Sequence, residues 1–308
     1  MGTYPRQKRM SDNIPDITVS IVNTNNRDIV LQCLESVYST AGDLSLQVVV
    51  VNNACSDGST AAIRARFRQV EIIEQNLLSG FSTNNNLAFA RAKGRYLLML
   101  NDDTIVHPDA LQKLIAFVGA HPEVGVVGPK LMNKDGSWQP SFGYKLNPLH
   151  EGLDPLWEYI HPRRPTDQPV EVGCVSGACM FIRSAAAQVT GYLDTRFDPI
   201  YSEEIDWCYR IVKAGYKIFY VPDAIVTHLG GSTMDRTSTQ RFIRIHEKKA
   251  VLFRKHYHIS AVLIYKVTLL VANLIKLVYW AILCGYKQQE AREEVEAHWK
   301  LIKRIPYM

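Results

Sequence analysis

The sequence predicts an α/β protein: a mostly parallel sheet flanked by helices, with a helical extension at the carboxyl end. Three observations predict it. Apolar strands alternate with helical patterns from Ile17 to Lys130, which implies βαβ units. One of these runs, Tyr96-Leu97-Leu98-Met99-Leu100, is continuously apolar and so suits a strand buried on both faces. Beyond residue 235 the strand pattern stops and only helical patterns continue.

The beat opens with the strand ITVSIVN (17–23) and the helix RDIVLQCLESVYS (27–39). Next come the strand LQVVVVN (46–52), the helix SDGSTAAIRARF (56–67) and the strand VEIIEQ (70–75). The helix STNNNLAFARA (82–92) and the strand RYLLML (95–100) follow, then the helix PDALQKLIAFVGA (108–120) and the strand VGVVGPKL (124–131). Residues 134–170 lose periodicity in a stretch rich in Pro, Gly, Trp and Tyr, the composition of a functional or mobile loop. Order returns with EVGCVSGACMFIR (171–183), a helix in FDPIYSEEIDWCYRIVKAG (197–215), and the strands YKIFYVP and AIVTHLG. The expected division is a tail (1–16), a main α/β domain (17–235) with 134–170 as a variable loop, and a helical region (236–308).

At 308 residues, 47% hydrophobic and 21% charged, the chain is long enough for one large α/β domain and an appendage. A net charge of +5 without a basic stripe argues against nucleic acid and suits an anionic ligand or membrane surface. The six cysteines lack the close paired spacing of a zinc or redox motif and read as reduced core residues. Residues 1–16 carry basic groups with no apolar run behind them, so a secretory signal is not expected and the cytoplasm is the expected compartment.

The run Ile259 to Gly285 is long enough to span a bilayer, yet it contains Lys266, Asn273 and Lys276. Taking Lys266 as zero, Asn273 falls at about 340°, Lys276 at about 280° and Lys287 at about 300°, so the polar groups share one stripe. An amphipathic helix over 259–285 is therefore expected. It either lies on the inner face of the cell membrane or packs on its own domain or in a homo-oligomer interface. A charged, solvated helix, QQEAREEVEAHWKLIKR, follows.

The chemistry-bearing residues gather at strand ends. Asn101-Asp102-Asp103 ends the apolar strand, and adjacent carboxylates there repel unless a cation or donor-rich ligand neutralises them. Alone, such acids also serve as helix caps. Neither GxGxxG nor GxxxxGK[ST] occurs, so the two common phosphate-cradling loops are absent. The ends of the first strand (Asn23 to Asp28), the second strand (Asn52, Asn53, Asp57) and the fourth (Asn101 to Asp103) should meet at one edge, together with the Glu203 to Asp206 turn.

The ordered segments SIVNTNNRDIVLQCLESV, VVVVNNACSDGST, LLSGFSTNNNLAFARAKGRYLLMLNDDT, CMFIR, YSEEIDWCYRIVKAGYKIFYVP and VTHLGGST resemble family 2 glycosyltransferases of the GT-A fold, especially the rhamnosyltransferase-like branch, over residues 17–235. The resemblance implies an inverting transferase that uses a nucleotide-diphosphate sugar, dTDP-rhamnose first and a UDP-sugar as the alternative. The acceptor it implies is a glycan or lipid-linked glycan of the cell surface. It implies Mn²⁺ or Mg²⁺ held by Asp103 and His228, with Asp102 on the sugar or ribose.

The resemblance further implies nucleotide contacts from Thr24, Asp28, Asn52, Asn53 and Asp57, and donor contacts from Gly80, Asn84 and Asn85. The general base falls to Glu204, with Glu203 or Asp206 as substitutes, and Arg236 or Arg241 would assist at the diphosphate. Trp138, Tyr144 and Trp157 are candidate stacking platforms for acceptor sugars. Asn52 and Asn101 stand where the family pattern has acids. Those departures leave base preference and metal strength open, and with them a silent nucleotide-sugar-binding protein.

Overall fold

A computed structural model describes residues 14–160, 164–230, 238–283 and 288–308. Chain order begins β1 (Ile17–Asn23), α1 (Arg27–Thr40), β2 (Leu46–Asn53), α2 (Ser59–Arg66), β3 (Glu71–Gln75), α3 (Phe81–Phe89) and β4 (Tyr96–Asn101). It continues through β5 (Thr104–Val106), α4 (Ala110–Ala120), β6 (Val124–Met132), β7 (Trp138–Gln139), β8 (Phe142–Gly143) and α5 (Pro148–Ile160). Then come β9 (Val170–Glu171), β10 (Cys174–Val175), β11 (Cys179–Arg183), α6 (Ser184–Thr190), α7 (Glu203–Lys213) and β12 (Lys217–His228). Three helices complete the described chain: α8 (Ser238–His256), α9 (Ile259–Leu283) and α10 (Gln288–Arg304).

The main sheet runs β3-β2-β1-β4-β11-β6-β12-β5, with β7 on β6 and β9 on β12. Strands β1 to β4 are mutually parallel, as the βαβ beat requires, and β11 enters antiparallel between β4 and β6. Alternation across the strands divides the core. Leu98 and Leu100 face Val30, Leu34, Leu111 and Leu114 of α1 and α4, whereas Leu97 and Met99 face Phe89, Trp207 and Ile211 of α3 and α7. The apolar run of β4 is continuous because both its faces are covered.

Four features differ from the sequence expectation. The acids after β4 do not lead straight into a helix: β5 intervenes and pairs antiparallel with the end of β12, setting His228 opposite Thr104. The two strands expected at 216–230 are one strand, β12, whose register against β6 shifts between Val221 and Ile225. The short helix α6 was not foreseen. Within 134–170 the chain forms α5, which packs on α9 so closely that a Cβ added to Gly152 would lie 1.9 Å from Thr268 Oγ1.

Helices α8, α9 and α10 share a core of Phe253, Tyr265, Leu269 and Leu301. Helix α10 runs antiparallel to α9, since Asn273 meets His298 while Lys266 reaches Pro306. The polar stripe of α9 turns inward: Asn273 is 0% and Lys276 8% exposed.

Candidate active site

A cavity of about 560 Å³ opens beyond the carboxyl ends of β1, β2 and β4, where ligands bind in open α/β sheets. Strand β4 delivers Asn101 and then a tight turn of Asp102 and Asp103. Pairing of β5 with β12 brings His228 to the same wall. The amino-terminal turn of α7 adds Glu203 and Glu204, and α8 adds Arg241 and Lys249.

Asp103 Oδ1 stands 3.2 Å from His228 Nε2. On the far side of the ring, His228 Nδ1 is 2.9 Å from Gln139 Oε1. An amide oxygen only accepts, so in the neutral ring Nδ1 carries the proton and Nε2 presents a lone pair. Asn101 Nδ2 lies 3.3 Å from the same nitrogen and can donate to that lone pair, a long contact that a cation between the imidazole and the carboxylate oxygen would displace. Two donors about 2.1 Å from one octahedral ion stand about 3 Å apart, so the pair fits Mn²⁺ or Mg²⁺. Among the described residues no group of three or more His, Cys, Asp or Glu side chains forms a ready metal cage. Substrate oxygens would have to complete the coordination sphere.

Asp102 is a different group. Its Oδ2 accepts from Asn26 Nδ2 at 2.9 Å, and burial, followed by the Asp103 charge, pushes its carboxyl up to about 7 despite that bond.

Glu203 and Glu204 open α7 after Tyr201 and Ser202, both at positive φ, which is unusual for residues with side chains. Each glutamate leaves its Oε2 buried without a hydrogen-bond partner. Burial, then the neighbouring Glu204 charge, raises the Glu203 carboxyl well above the usual range. Burial also raises Glu204, with Lys249 partly offsetting it. Gly177, in the turn before β11, keeps space beside this acid: a Cβ there would lie 3.8 Å from Glu204 Cβ and 3.3 Å from the Met99 methyl.

Of the expected nucleotide and donor residues, Thr24, Asn53, Asn84, Asp102 and Arg241 line the cavity. Asn53 is fixed there by Ser79, donating to its carbonyl at 3.1 Å and accepting from its amide at 2.8 Å. Asn84 donates to the Ser79 and Gly80 carbonyls, and its buried Oδ1 has no protein partner.

The other expected contacts lie off the cavity lining. Asn52 is consumed within the sheet edge: Oδ1 accepts from Asn23 Nδ2 at 2.8 Å and Nδ2 donates to Thr60 Oγ1 at 2.7 Å. Asn85 is turned to β1, accepting from Ser20 Oγ at 2.8 Å. Asp57 ties its turn to the Arg27 and Ser59 amides, and Asp28 is an exposed acid paired with Arg27. Gly80 makes room for Asp198, which caps α3 through the Ser82 amide at 2.9 Å; a Cβ would lie 2.1 Å from Asp198 Cγ.

Asp206 is not placed to act as a base. It is fully buried in an ion-pair cluster with Arg210 at 2.9 Å, Lys255 at 2.6 Å and His256 at 2.6 Å, which joins α7 to α8. Trp138 packs on Phe142 in the core, while Tyr144 is exposed. Arg236 and the side chains of Trp157 and Lys287 lie outside the described residues.

Sequence reasoning missed Gln139, Ser79 and Lys249. Lys249 sits in the cavity wall and binds Glu151 of α5 at 2.6 Å and Asp154 at 3.4 Å, pairings that outweigh burial and hold it charged. No local signal marks it; its role depends on α5, seated on α9, bringing Glu151 and Asp154 to α8.

The sequence profile of the glycosyltransferase like family 2 matches residues 15–245. An N-acetylglucosaminyl-diphospho-decaprenol L-rhamnosyltransferase of Mycobacterium tuberculosis is 25% identical over 272 residues, 81% of this chain and 86% of its own. A pre-mycofactocin glycosyltransferase of the same organism is 26% identical over 215 residues, 69% of this chain and 42% of its own.

Among solved structures, the mannosyltransferase PcManGT from Pyrobaculum calidifontis, in complex with GDP-Man and Mn²⁺, superposes with a TM-score of 0.60 at 17% identity, covering 96% of this chain and 88% of its own. S. aureus TarS 1-349 with UDP-GlcNAc gives 0.56 at 13% identity, covering 95% and 92%. The chain belongs to glycosyltransferase family 2 and is a glycosyltransferase of the GT-A fold.

Proposed function

We propose that this glycosyltransferase inverts configuration, depends on a divalent cation, and moves L-rhamnose from dTDP-rhamnose to a lipid-linked glycan. The observation that carries the mechanism is the convergence of Asp103, His228 and Glu204 on one cavity. The sugar and the acceptor class rest on the mycobacterial relative, which is named as a rhamnosyltransferase acting on a decaprenyl diphosphate sugar.

Single displacement at the anomeric carbon forms a bond to the acceptor oxygen, breaks the bond to the nucleoside diphosphate, and releases one proton from the acceptor hydroxyl. Glu204, raised by burial and left with an unpartnered oxygen, takes that proton. Asp103 and His228 would hold a divalent cation, which would supply neutralisation of charge on the diphosphate. Asn84 Oδ1 is an acceptor that a donor hydroxyl satisfies, and Arg241 stands exposed at the cavity wall where the leaving diphosphate needs a positive charge.

The test is transfer from a panel of dTDP- and UDP-sugars to a polyprenyl-diphosphate-linked sugar, with Mn²⁺, Mg²⁺ or chelator, and product configuration read by NMR. The expected result is metal-dependent rhamnosyl transfer with inversion. Retention, or full turnover in chelator, overturns the mechanism. Turnover of a UDP-sugar alone replaces the donor.

A further inference from the structure

Helix α9 presents to solvent the face that its sequence would be expected to bury. With Lys266 as zero, Leu263, Val267, Val271, Leu274, Val278 and Ile282 fall between about 60° and 160°, opposite the stripe of Lys266, Asn273 and Lys276. These six are 43% to 71% exposed. No charged residue interrupts that arc from Leu263 to Ile282, a length of about 30 Å.

The inner face is fully engaged. Asn273 Oδ1 accepts from His298 Nδ1 at 2.7 Å, Lys266 Nζ donates to the Pro306 carbonyl at 3.1 Å, and Gly152 of α5 lies against Thr268. The arc is therefore an outward surface of a packed bundle. Contiguous apolar patches of this size mark interaction sites.

Charge identifies the occupant. Because α10 runs antiparallel to α9, its exposed Lys303 and Arg304 come to the same end of the bundle as Arg254 and His258, which precede α9 and are also exposed. Arg254 is close enough to Lys266 to depress it further after burial. Tyr307, 84% exposed, stands at this end too. An apolar arc whose Leu263 end carries a group of cations and an aromatic side chain matches an anionic bilayer surface, with the arc in the acyl boundary and the cations among the headgroups at that end. Crossing the bilayer is excluded by geometry, since the charged helix α10 packs along α9 and would have to enter with it.

We infer that α9 seats this protein on an anionic membrane through the Leu263 to Ile282 arc. Helix α8 then forms the wall between α9 and the active site. Arg241, Ile245 and Lys249 face the cavity, while Phe242, Ala250 and Phe253 face the α9 and α10 core. One helix layer, about 10 Å, separates the catalytic cavity from the membrane-seated helix. The inference does not depend on which sugar or donor is used.

The test is flotation of the full chain with vesicles of phosphatidylglycerol and phosphatidylethanolamine, against vesicles of phosphatidylcholine alone. The wild type should float with the anionic vesicles, and the triple variant Leu263→Glu, Val271→Glu, Val278→Glu should partition at least about a hundredfold less while melting as wild type. A second variant, Arg254→Ser with Lys303→Ser, leaves the arc intact and should weaken binding to anionic vesicles roughly tenfold or more. Wild type that fails to float, or equal flotation of the triple variant, overturns the inference. So does a stable wild-type dimer in vesicle-free buffer that the glutamates split, which would assign the arc to a second copy.

Discussion

Asp103 Oδ1 faces His228 Nε2 across 3.2 Å, although Asp103 sits in the turn between β4 and β5 and His228 ends β12, and the two meet because β5 pairs with β12. Gln139, from a third strand, sets the imidazole so that its lone pair points at the carboxylate. Both Asp103→Asn and His228→Gln should cut transfer by about a hundredfold or more while leaving the melting temperature within a few degrees, because neither packs in the apolar core. Isothermal titration with Mn²⁺ and nucleotide should show weakened metal-dependent binding in both. Wild-type turnover by either variant would remove that residue from the metal site.

Glu204→Gln removes the proposed base while keeping the side chain's size, and transfer should fall by about a hundredfold to ten-thousandfold with donor binding preserved. The pH profile tests the same assignment. Burial raises the Glu204 carboxyl above 4.5, so the competent ionised form appears only as pH rises through that higher value. kcat/KM should therefore climb with pH along a limb displaced above the ordinary glutamate range. A limb at the unperturbed value, or one that persists in Glu204→Gln, would assign the titration elsewhere.

Asp206 joins α7, which carries the proposed base, to α8, which carries Lys249. Its charge is fully buried against Arg210, Lys255 and His256, so Asp206→Asn removes the shared carboxylate from the α7–α8 junction and leaves Arg210 without its buried counter-charge, while Lys255 keeps Asp194. Urea denaturation should show a loss of about 3–5 kcal/mol. Burial raises this carboxyl, but the bonds from His256, Lys255 and Arg210 outweigh it and the net shift is downward. Its contribution to stability is thus present above pH 3.8 and fades as pH falls through the lowered value. The asparagine variant should lack that part of the acid dependence.

The βαβ core was legible because its signal is local. Alternation put Leu98 and Leu100 on one face and Leu97 and Met99 on the other, and the abrupt change at Asn101 marked the ligand edge. The same parity could have separated the two asparagines of β2. Asn52 shares its face with Val48 and Val50, whereas Asn53 follows Val49 and Val51 toward α3 and the cavity.

What the sequence hid depends on long-range packing. Strand β5 has three residues and exists through β12, far along the chain. Helix α5 sits in a Pro-rich stretch, and its interior Pro155 disguises it. The stripe on α9 was visible, but periodicity cannot say which face turns inward, and here the polar one does because His298 and Pro306 receive it.

That inward stripe makes the helical bundle sensitive to acid. Burial, followed by Lys249 and His298, holds the His246 ring well below 6.5, and burial with Lys276 lowers His298 to about 4. His246 bonds the Tyr265 hydroxyl at 2.9 Å, and His298 bonds Asn273 at 2.7 Å. Glu294 lies 3.5 Å from His298 but is 46% exposed, so it screens protonation weakly. Both rings are neutral when folded and protonate near 6.5 when unfolded. Their contribution is therefore intact above pH 6.5 and is lost progressively as pH falls from 6.5 toward 4. Urea midpoints should drop between pH 7.5 and 5, and His298→Gln, which retains a donor to Asn273, should flatten part of that slope. An unchanged slope in the glutamine variant would place the acid sensitivity in other groups.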